Sequence, residues 1–460
     1  MPPRRSARDR AVDLLREVLE RGGRATPLLG KRGAGLSAAD QDLLRELVLG
    51  VLRWRLALDA EIASVSRVPL PRLAPKLREI LEVALYQIRH LDRIPHYAAV
   101  SEAVTQARTS GGEGAAKLVN GVLRGILLLP PPSPPGGEGS VEGVELARHF
   151  SHPAFLVERW LERFGPERTR GILEADNRPS GLDLMVNPTA GSREALVEDL
   201  RAEGIEARPS SLCPLGLTVV SGNPFRSSLF GRGRFAVQDL GSQALPLLLP
   251  PGDTLIDLAA APGGKSFAAL ALGQARRAVA LDRSLARLRL FEENRVRLAL
   301  PQATPVAADL SAAPLAPGRF DRVLFDAPCS GTGTLRKSPE IRYRVTPASI
   351  ESLAAVQEAG LLAAAELLAP DGFLLYSTCS LEAEENERVV GRVLEKMPRL
   401  EAFPIEAPEG LRPHVSGALC RLFPDRETDG FTAHLLRRKP AELPRGVTST
   451  PTPRIDSGPA

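Results

Sequence analysis

Over residues 6–129 apolar side chains recur every three or four positions, as in Ala11-Val12-Leu14-Leu15-Val18-Leu19 and Leu43-Leu44-Leu47-Val48-Val51-Leu52. That spacing gathers them on one stripe of a helix and predicts a helical bundle. Residues 130–143 read PPPSPPGGEGSVEG. Such a run can neither sustain regular main-chain hydrogen bonding nor bury apolar surface, so it predicts a linker. Over 144–235 the period is mixed, with a helix near 154–164, a strand at 182–186, a helix at 193–203 and a strand near 215–220. A small α+β module is expected there. From residue 236 onward, β-rich apolar runs at 254–258, 277–281, 304–307, 322–325 and 373–377 alternate with helical stretches such as 285–300 and 350–368. That alternation predicts a parallel, Rossmann-like sheet wound on both faces. The expected division is therefore 1–129, 130–143, 144–235 and 236–439, with a disordered tail over 440–460 rich in Pro, Ser and Thr.

Composition adds limits. The chain has 460 residues, 43% hydrophobic and 25% charged, enough for two or three separate cores. Cysteines at 213, 329, 379 and 420 include no C-x-x-C pair, and the six histidines show no zinc-ligand spacing, so neither a disulfide framework nor a metal site is expected. Free thiols, an N-terminus without an apolar core and the lack of any eighteen-residue apolar run point to cytoplasmic residence and no membrane partner. Residues 1–129 hold 21 Lys/Arg against 14 Asp/Glu, whereas the remainder holds 38 against 41. A basic first module is suited to a polyanion such as RNA, although solvated helix faces have the same composition.

Thr254-Leu255-Ile256-Asp257 runs through Leu258, Ala259, Ala260, Ala261, Pro262, Gly263 and Gly264 to Lys265, a strand entering a small-residue turn and then a helix. This is how a cofactor pocket is built, yet it is not the G-x-G-x-x-G turn that cradles a pyrophosphate. S-adenosylmethionine fits such a turn, because its methionine end needs donors and close backbone while its ribose and adenine need acceptors. Asp282, ending the second strand, is placed for the ribose diol, and Asp309, ending the third, for the adenine amino group. The plainer alternative is that both merely cap the helices that follow.

Cys329, in Asp326-Ala327-Pro328-Cys329-Ser330-Gly331, and Cys379, in Ser377-Thr378-Cys379-Ser380, each follow a strand-like run and are flanked by loop residues. Both thiols should emerge at one edge of the sheet, where such folds bind ligands. A thiolate adding to carbon 6 of a pyrimidine makes carbon 5 nucleophilic enough to accept a methyl group. A carboxyl group near base nitrogen 3 would share a proton as charge builds, and Asp326 is the candidate. The residues themselves do not rank the two thiols. Cys213 and Cys420 lack this setting and are expected to be inert and buried.

These stretches resemble the Sun/Fmu, RsmB-type branch of the RNA cytosine carbon-5 methyltransferases, and the resemblance spans nearly the whole chain. Residues 257–266 look like the family's cofactor motif, with Ala259 where a cysteine often stands; residues 326–334 resemble its proline-cysteine motif, and 377–380 with Glu384-Glu385-Asn386 its threonine-cysteine motif. Arg234-Phe-Ala-Val-Gln238-Asp239 resembles the opening of the catalytic domain, and residues 429–437 its closing strand. The resemblance implies that Cys379 is the nucleophile and Cys329 assists product release. It further implies that Ala259, Ala260, Ala261, Pro262, Gly263, Gly264, Lys265, Asp282, Asp309 and Asp326 contact S-adenosylmethionine or the base, and that Lys265 orients groups at the reacting centre.

The first module, with Gly50-Val-Leu-Arg53, residues 80–87, Ile94-Pro-His96-Tyr and Lys117-Leu-Val-Asn120-Gly-Val-Leu-Arg124, resembles the NusB-like helical RNA-binding domain. That fusion implies 16S ribosomal RNA as substrate; transfer RNA methylation and a non-catalytic RNA-binding assembly factor are the alternatives. A monomer is expected. Arg232, Arg234, Arg336 and Lys337 are candidate phosphate contacts or else solvated surface, and His96 and His152, each beside a proline, are read as helix caps.

Overall fold

A computed structural model of the chain describes residues 6–130, 143–310 and 315–440. The expected linker falls almost wholly on 131–142 and the expected tail on 441–460, outside the described residues.

Five helices form the first unit: α1 (Ala7–Arg21), α2 (Ala25–Gly33), α3 (Ala38–Val65), α4 (Pro75–His90) and α5 (His96–Leu127). Ser6 starts α1 with a capping box in which its hydroxyl accepts from Asp9 N and the Asp9 carboxylate accepts from Ser6 N. Gly22 ends it at φ +69°. The apolar stripes foreseen on α1 and α3 meet in one core, with Leu14, Leu15, Leu47 and Val51 fully buried. Gly50 is required there, because a Cβ would lie 2.0 Å from the Tyr86 ring on α4.

Next come α6 (Gly143–His149) and α7 (Ala154–Asp176). The helix expected near 154–164 ends there, because Gly165 is non-helical (φ +76°), and a second helical stretch that was not foreseen resumes at Pro166 and runs to Asp176. The middle module holds β1 (Leu182–Val186), α8 (Arg193–Ala202), β2 (Glu206–Pro209), β3 (Gly216–Ser221), α9 (Ser228–Gly231) and β4 (Phe235–Val237). Its antiparallel sheet runs β2-β3-β1-β4, so the two strands read from sequence are joined by two that are too short to show a period.

The last unit comprises α10 (Leu240–Ala244), β5 (Thr254–Asp257), α11 (Gly264–Ala271), β6 (Arg277–Asp282), α12 (Leu285–Arg297), β7 (Ala303–Ala307), β8 (Phe320–Asp326), α13 (Pro347–Leu367), β9 (Leu368–Thr378), α14 (Glu387–Lys396), β10 (Leu400–Ala402), β11 (Val415–Ser416), β12 (Leu419–Leu422) and β13 (Phe431–Arg438). All five strands expected in the sheet form, in the order β9-β8-β5-β6-β7, and all are parallel. Beyond these five the sheet is extended by strands that were not read in it: β13 pairs antiparallel with β9, and β10 and β12 pair antiparallel with β13. Strand direction is set by how the chain returns after α14, which apolar periodicity does not encode. The sheet packs one core against α10 and α11 and another against α13 and α14.

Candidate active site

Strands β8 and β9 lie side by side with Asp326 opposite Ser377, so the two segments leaving them run out together. Ala327 N donates to Ser377 O (2.8 Å) and Gly333 N to Cys379 O (2.9 Å). Held in this way, the half-buried thiols of Cys329 and Cys379 meet with their sulfurs 3.3 Å apart. The single-edge expectation is borne out as direct contact.

Beneath the thiols Lys265 Nζ donates to Asp326 Oδ2 at 2.7 Å, and the other oxygen of Asp326 accepts from Ser377 Oγ at 2.8 Å. Burial works against the Lys265 ammonium, but the charge and hydrogen bond of Asp326, with Asp257 and Cys379 nearby, raise its pKa and keep it charged. Asp257 is sealed under this pair, where burial pushes its carboxyl up to about 6 against the hydrogen bond from Ser266 Oγ (2.6 Å) and the Lys265 charge. Cys329 is pushed well above the usual thiol range, first by its hydrogen bond to Cys379, then by burial and the charges of Cys379, Glu385 and Asp326. Two neighbouring thiols cannot both ionise cheaply, and the carboxylates stand against Cys329.

The small-residue turn joins this cluster from β5. Gly263 opens α11 at φ +111°, and a Cβ there would lie 2.1 Å from the Phe267 ring. Ala261 N donates to Asp282 Oδ2 (3.2 Å) and Ser284 N to Asp282 Oδ1 (2.9 Å). Arg287 Nη1 lies 3.3 Å from the same carboxylate. Asp282 therefore ties the turn to the end of β6, and the cap of α12 is Ser284 rather than Asp282. Asp309 is exposed two residues beyond β7, whose end is tethered by Ala308 N donating to Asp282 O (3.3 Å). Ala259 is half-buried and Pro262 exposed beside the buried Ala260 and Ala261. Lys265, one residue past Gly264, links the turn to the thiols.

Other expectations change. Arg336 is buried and donates to Asp429 Oδ1 at 3.1 Å, and Lys337 contacts Asp239 at 2.6 Å and Asp429 at 3.0 Å. The Arg336 charge is spent inside the protein, and that of half-buried Lys337 is matched by two carboxylates. Arg234 is paired with Asp199 (2.7 Å), while Arg232 is exposed. Neither histidine caps a helix: α5 and α7 begin at Pro95 and Pro153 without side-chain cap bonds. His152 is buried against Asp176 (3.3 Å), and burial drives both to their neutral forms, the acid up to about 8 and the imidazole well below its usual value. Cys213 and Cys420 are buried, as expected, with burial raising them to about 11 and about 12.

Two supports escaped sequence reasoning. Helix α7 grips the segment after Cys379: Trp160 Nε1 donates to Glu382 (3.0 Å), Arg159 Nε to Glu382 (3.0 Å), and Arg163 to Leu381 O. The helical unit, with the turn between α6 and α7, grips the segment after Cys329: buried Arg342 donates to Arg53 O and Ser151 O, Tyr343 OH to Leu52 O (2.6 Å), and Glu340 accepts from Ala25 N (3.1 Å). Nothing in a local pattern marks a partner about 300 residues away. Among the described residues there is no cluster able to hold a metal ion and no helix long and apolar enough to cross a membrane.

Comparison with known proteins places this site in context. Residues 244–437 match the family described as 16S rRNA methyltransferase RsmB/F, 5–127 the NusB family, and 152–226 the RsmF/B-like ferredoxin-like domain. A probable ribosomal RNA small subunit methyltransferase B of Bacillus subtilis is 32% identical over 445 residues, covering 94% of this chain and 99% of the relative. The ribosomal RNA small subunit methyltransferase B of Pasteurella multocida is 34% identical over 420 residues, covering 88% and 91%. The crystal structure of PH0851 superimposes with a TM-score of 0.77 at 26% identity, covering 95% of this chain and 99% of that one.

Proposed function

The chain belongs to the 16S rRNA methyltransferase RsmB/F family, and from that premise we propose that it methylates carbon 5 of a cytosine in 16S ribosomal RNA through a covalent adduct with Cys379. The observation that carries this reading is the 3.3 Å contact between two thiols at the ends of adjacent strands, above a Lys265–Asp326 pair. The target base enters unpaired or flipped out of its stack. The Cys379 sulfur bonds to carbon 6, which turns the ring into an enamine with its electron density at carbon 5. Asp326 is the group that shares a proton with nitrogen 3, and Lys265 fixes that carboxylate in place. When bound, S-adenosylmethionine supplies the electrophilic methyl group. The turn at Gly263, which carries no side chain, and the Asp282 carboxylate, whose Oδ1 keeps a lone pair beyond its bond from Ser284 N, fit its methionine end and ribose, with Asp309 for the adenine. After methyl transfer the carbon-5 proton passes to water, its electron pair re-forms the 5,6 double bond, and the Cys379 sulfur leaves carbon 6 as a thiolate. Cys329, held as a thiol against Cys379, is the group that assists this release. The enzyme acts as a cytoplasmic monomer, with the helical unit contributing RNA affinity.

Cys379→Ser and Cys329→Ser proteins incubated with S-adenosylmethionine and either 16S or transfer RNA test the scheme. Cys379→Ser is expected to lose turnover by about 10⁴-fold or more, and Cys329→Ser to accumulate a covalent protein–RNA complex on 16S RNA. A complex trapped by Cys379→Ser would reverse the roles of the thiols, and preferential methylation of transfer RNA would replace the substrate.

A further inference from the structure

Glu385 lies fully buried, six residues after Cys379, where a carboxylate is costly unless its lone pairs are filled. They are filled from both thiol segments at once. From the Cys329 side, Ser330 donates its main-chain N–H (2.8 Å) and its hydroxyl; from the Cys379 side, Ser380 donates its hydroxyl (2.5 Å). Gln357 of α13 adds a fourth bond at 3.0 Å while also donating to Pro328 O at 2.9 Å. Tyr376 OH reaches the Glu385 carbonyl (2.5 Å), which anchors the residue to β9 itself. The two serines are the residues immediately after the two cysteines. One carboxylate thus fixes the exit direction of both segments, and with it the separation of the sulfurs.

We infer that Glu385 is a positioning residue that sets the mutual placement of Cys329 and Cys379 through hydrogen-bond geometry. It touches neither base nor cofactor. Its effect on catalysis rests on the two-thiol reading above, but its effect on the thiols does not, so the two fail separately. Because the role is geometric, glutamine should largely fill it: its oxygen can accept from the Ser330 N–H and Gln357 while its amide donates to the two hydroxyls, which can turn to accept. Alanine cannot.

The test measures the Cys329–Cys379 dithiol–disulfide equilibrium of the full chain in a glutathione buffer, scored by peptide mass. Each oxidised glutathione takes two thiol hydrogens and leaves as two reduced molecules. Glu385→Ala is expected to weaken intramolecular disulfide formation at least about tenfold, with Glu385→Gln staying within about threefold of the parent. Ser330→Ala, which removes a single donor and carries the test if Glu385→Ala does not fold, should shift it the same way by a smaller factor. Glu358→Gln, which alters a hydrogen-bonded carboxylate elsewhere, serves as the control. In methylation assays Glu385→Ala should lower kcat with KM for RNA unchanged. An equilibrium within twofold of the parent for both Glu385→Ala and Ser330→Ala, or a glutamine variant as impaired as alanine, overturns the inference. A shifted equilibrium in a protein that methylates no RNA would retain the positioning role and sink the proposed reaction.

Discussion

Replacing Gly333 by alanine probes whether the two segments that present the thiols are as tightly packed as their backbone contacts imply. Gly333 N donates to Cys379 O (2.9 Å), and Gly333 O accepts from Gly430 N (2.7 Å), which makes it a pin between the Cys329 segment, the Cys379 segment and the start of β13. A Cβ at this position would sit 2.4 Å from Gly430 O and 2.8 Å from Gly430 C. Both are main-chain atoms, so no side chain can swing aside, and the backbones must part by about 0.6–1 Å to reach ordinary contact. The two hydrogen bonds contribute about 0.5–1.5 kcal/mol each, and the overpacking costs about 1–3 kcal/mol. A total loss of about 2–6 kcal/mol follows, read as a lower calorimetric transition. Displacing the Cys379 carbonyl by that distance is expected to cost on the order of 10²-fold in methyl transfer while cofactor binding, built on the far side of β5, stays near its original value. Gly391→Ala is the matched control: in the middle of α14 its Cβ would meet nothing within 4 Å, and it should gain about 0.5–1 kcal/mol. If Gly333→Ala melts within 1 °C of the parent and keeps its rate within about threefold, the packing argument fails.

Asp257, buried with its carboxyl raised to about 6, keeps its proton in the folded protein over a range where the unfolded chain has lost it. Native stability should therefore fall as pH rises from about 4 to about 6 and level off above, by up to about 3 kcal/mol from this group. Denaturation of the parent and Asp257→Asn at intervals across that window should show the slope reduced in the variant, and equal slopes would rule the burial argument out. Arg336→Met should cost on the order of 3 kcal/mol by leaving buried Asp429 with Lys337 alone, yet leave the salt dependence of RNA binding unchanged. Arg232→Ala should instead lower the slope of log K against log salt by about 0.9. A reduced slope for Arg336→Met would show that its charge does face RNA.

How much of the site was legible follows the reach of each signal. The strand–turn–helix at residues 254–271 was readable because every residue that makes it is local, down to the positive φ that only glycine takes readily at 263. The helix at 154–164 was readable to its end, because Gly165 and Pro166 stop it, but the stretch that resumes at Pro166 was not read. The short strands β2 and β4 have no period of their own and exist because β1 and β3 offer edges to pair with. Lys337 looked like free surface charge until folding brought Asp239, 98 residues earlier, to within 2.6 Å.

By itself the sequence determined the helices of the first unit, the five parallel strands of the last, where the glycine turn must fall, and that two cysteines leave the ends of strands. Those properties depend on neighbours a few residues apart. Tertiary structure alone decided that β8 and β9 are hydrogen-bonded neighbours, which turns thiols fifty residues apart into a contacting pair, and that a carboxylate on the next turn binds both segments. It also decided that β13 runs against β9, that Arg336 is buried and that Lys337 is paired with two carboxylates. The reason is that burial and charge pairing are settled between whole elements during packing, where a partner far along the chain competes on equal terms with water.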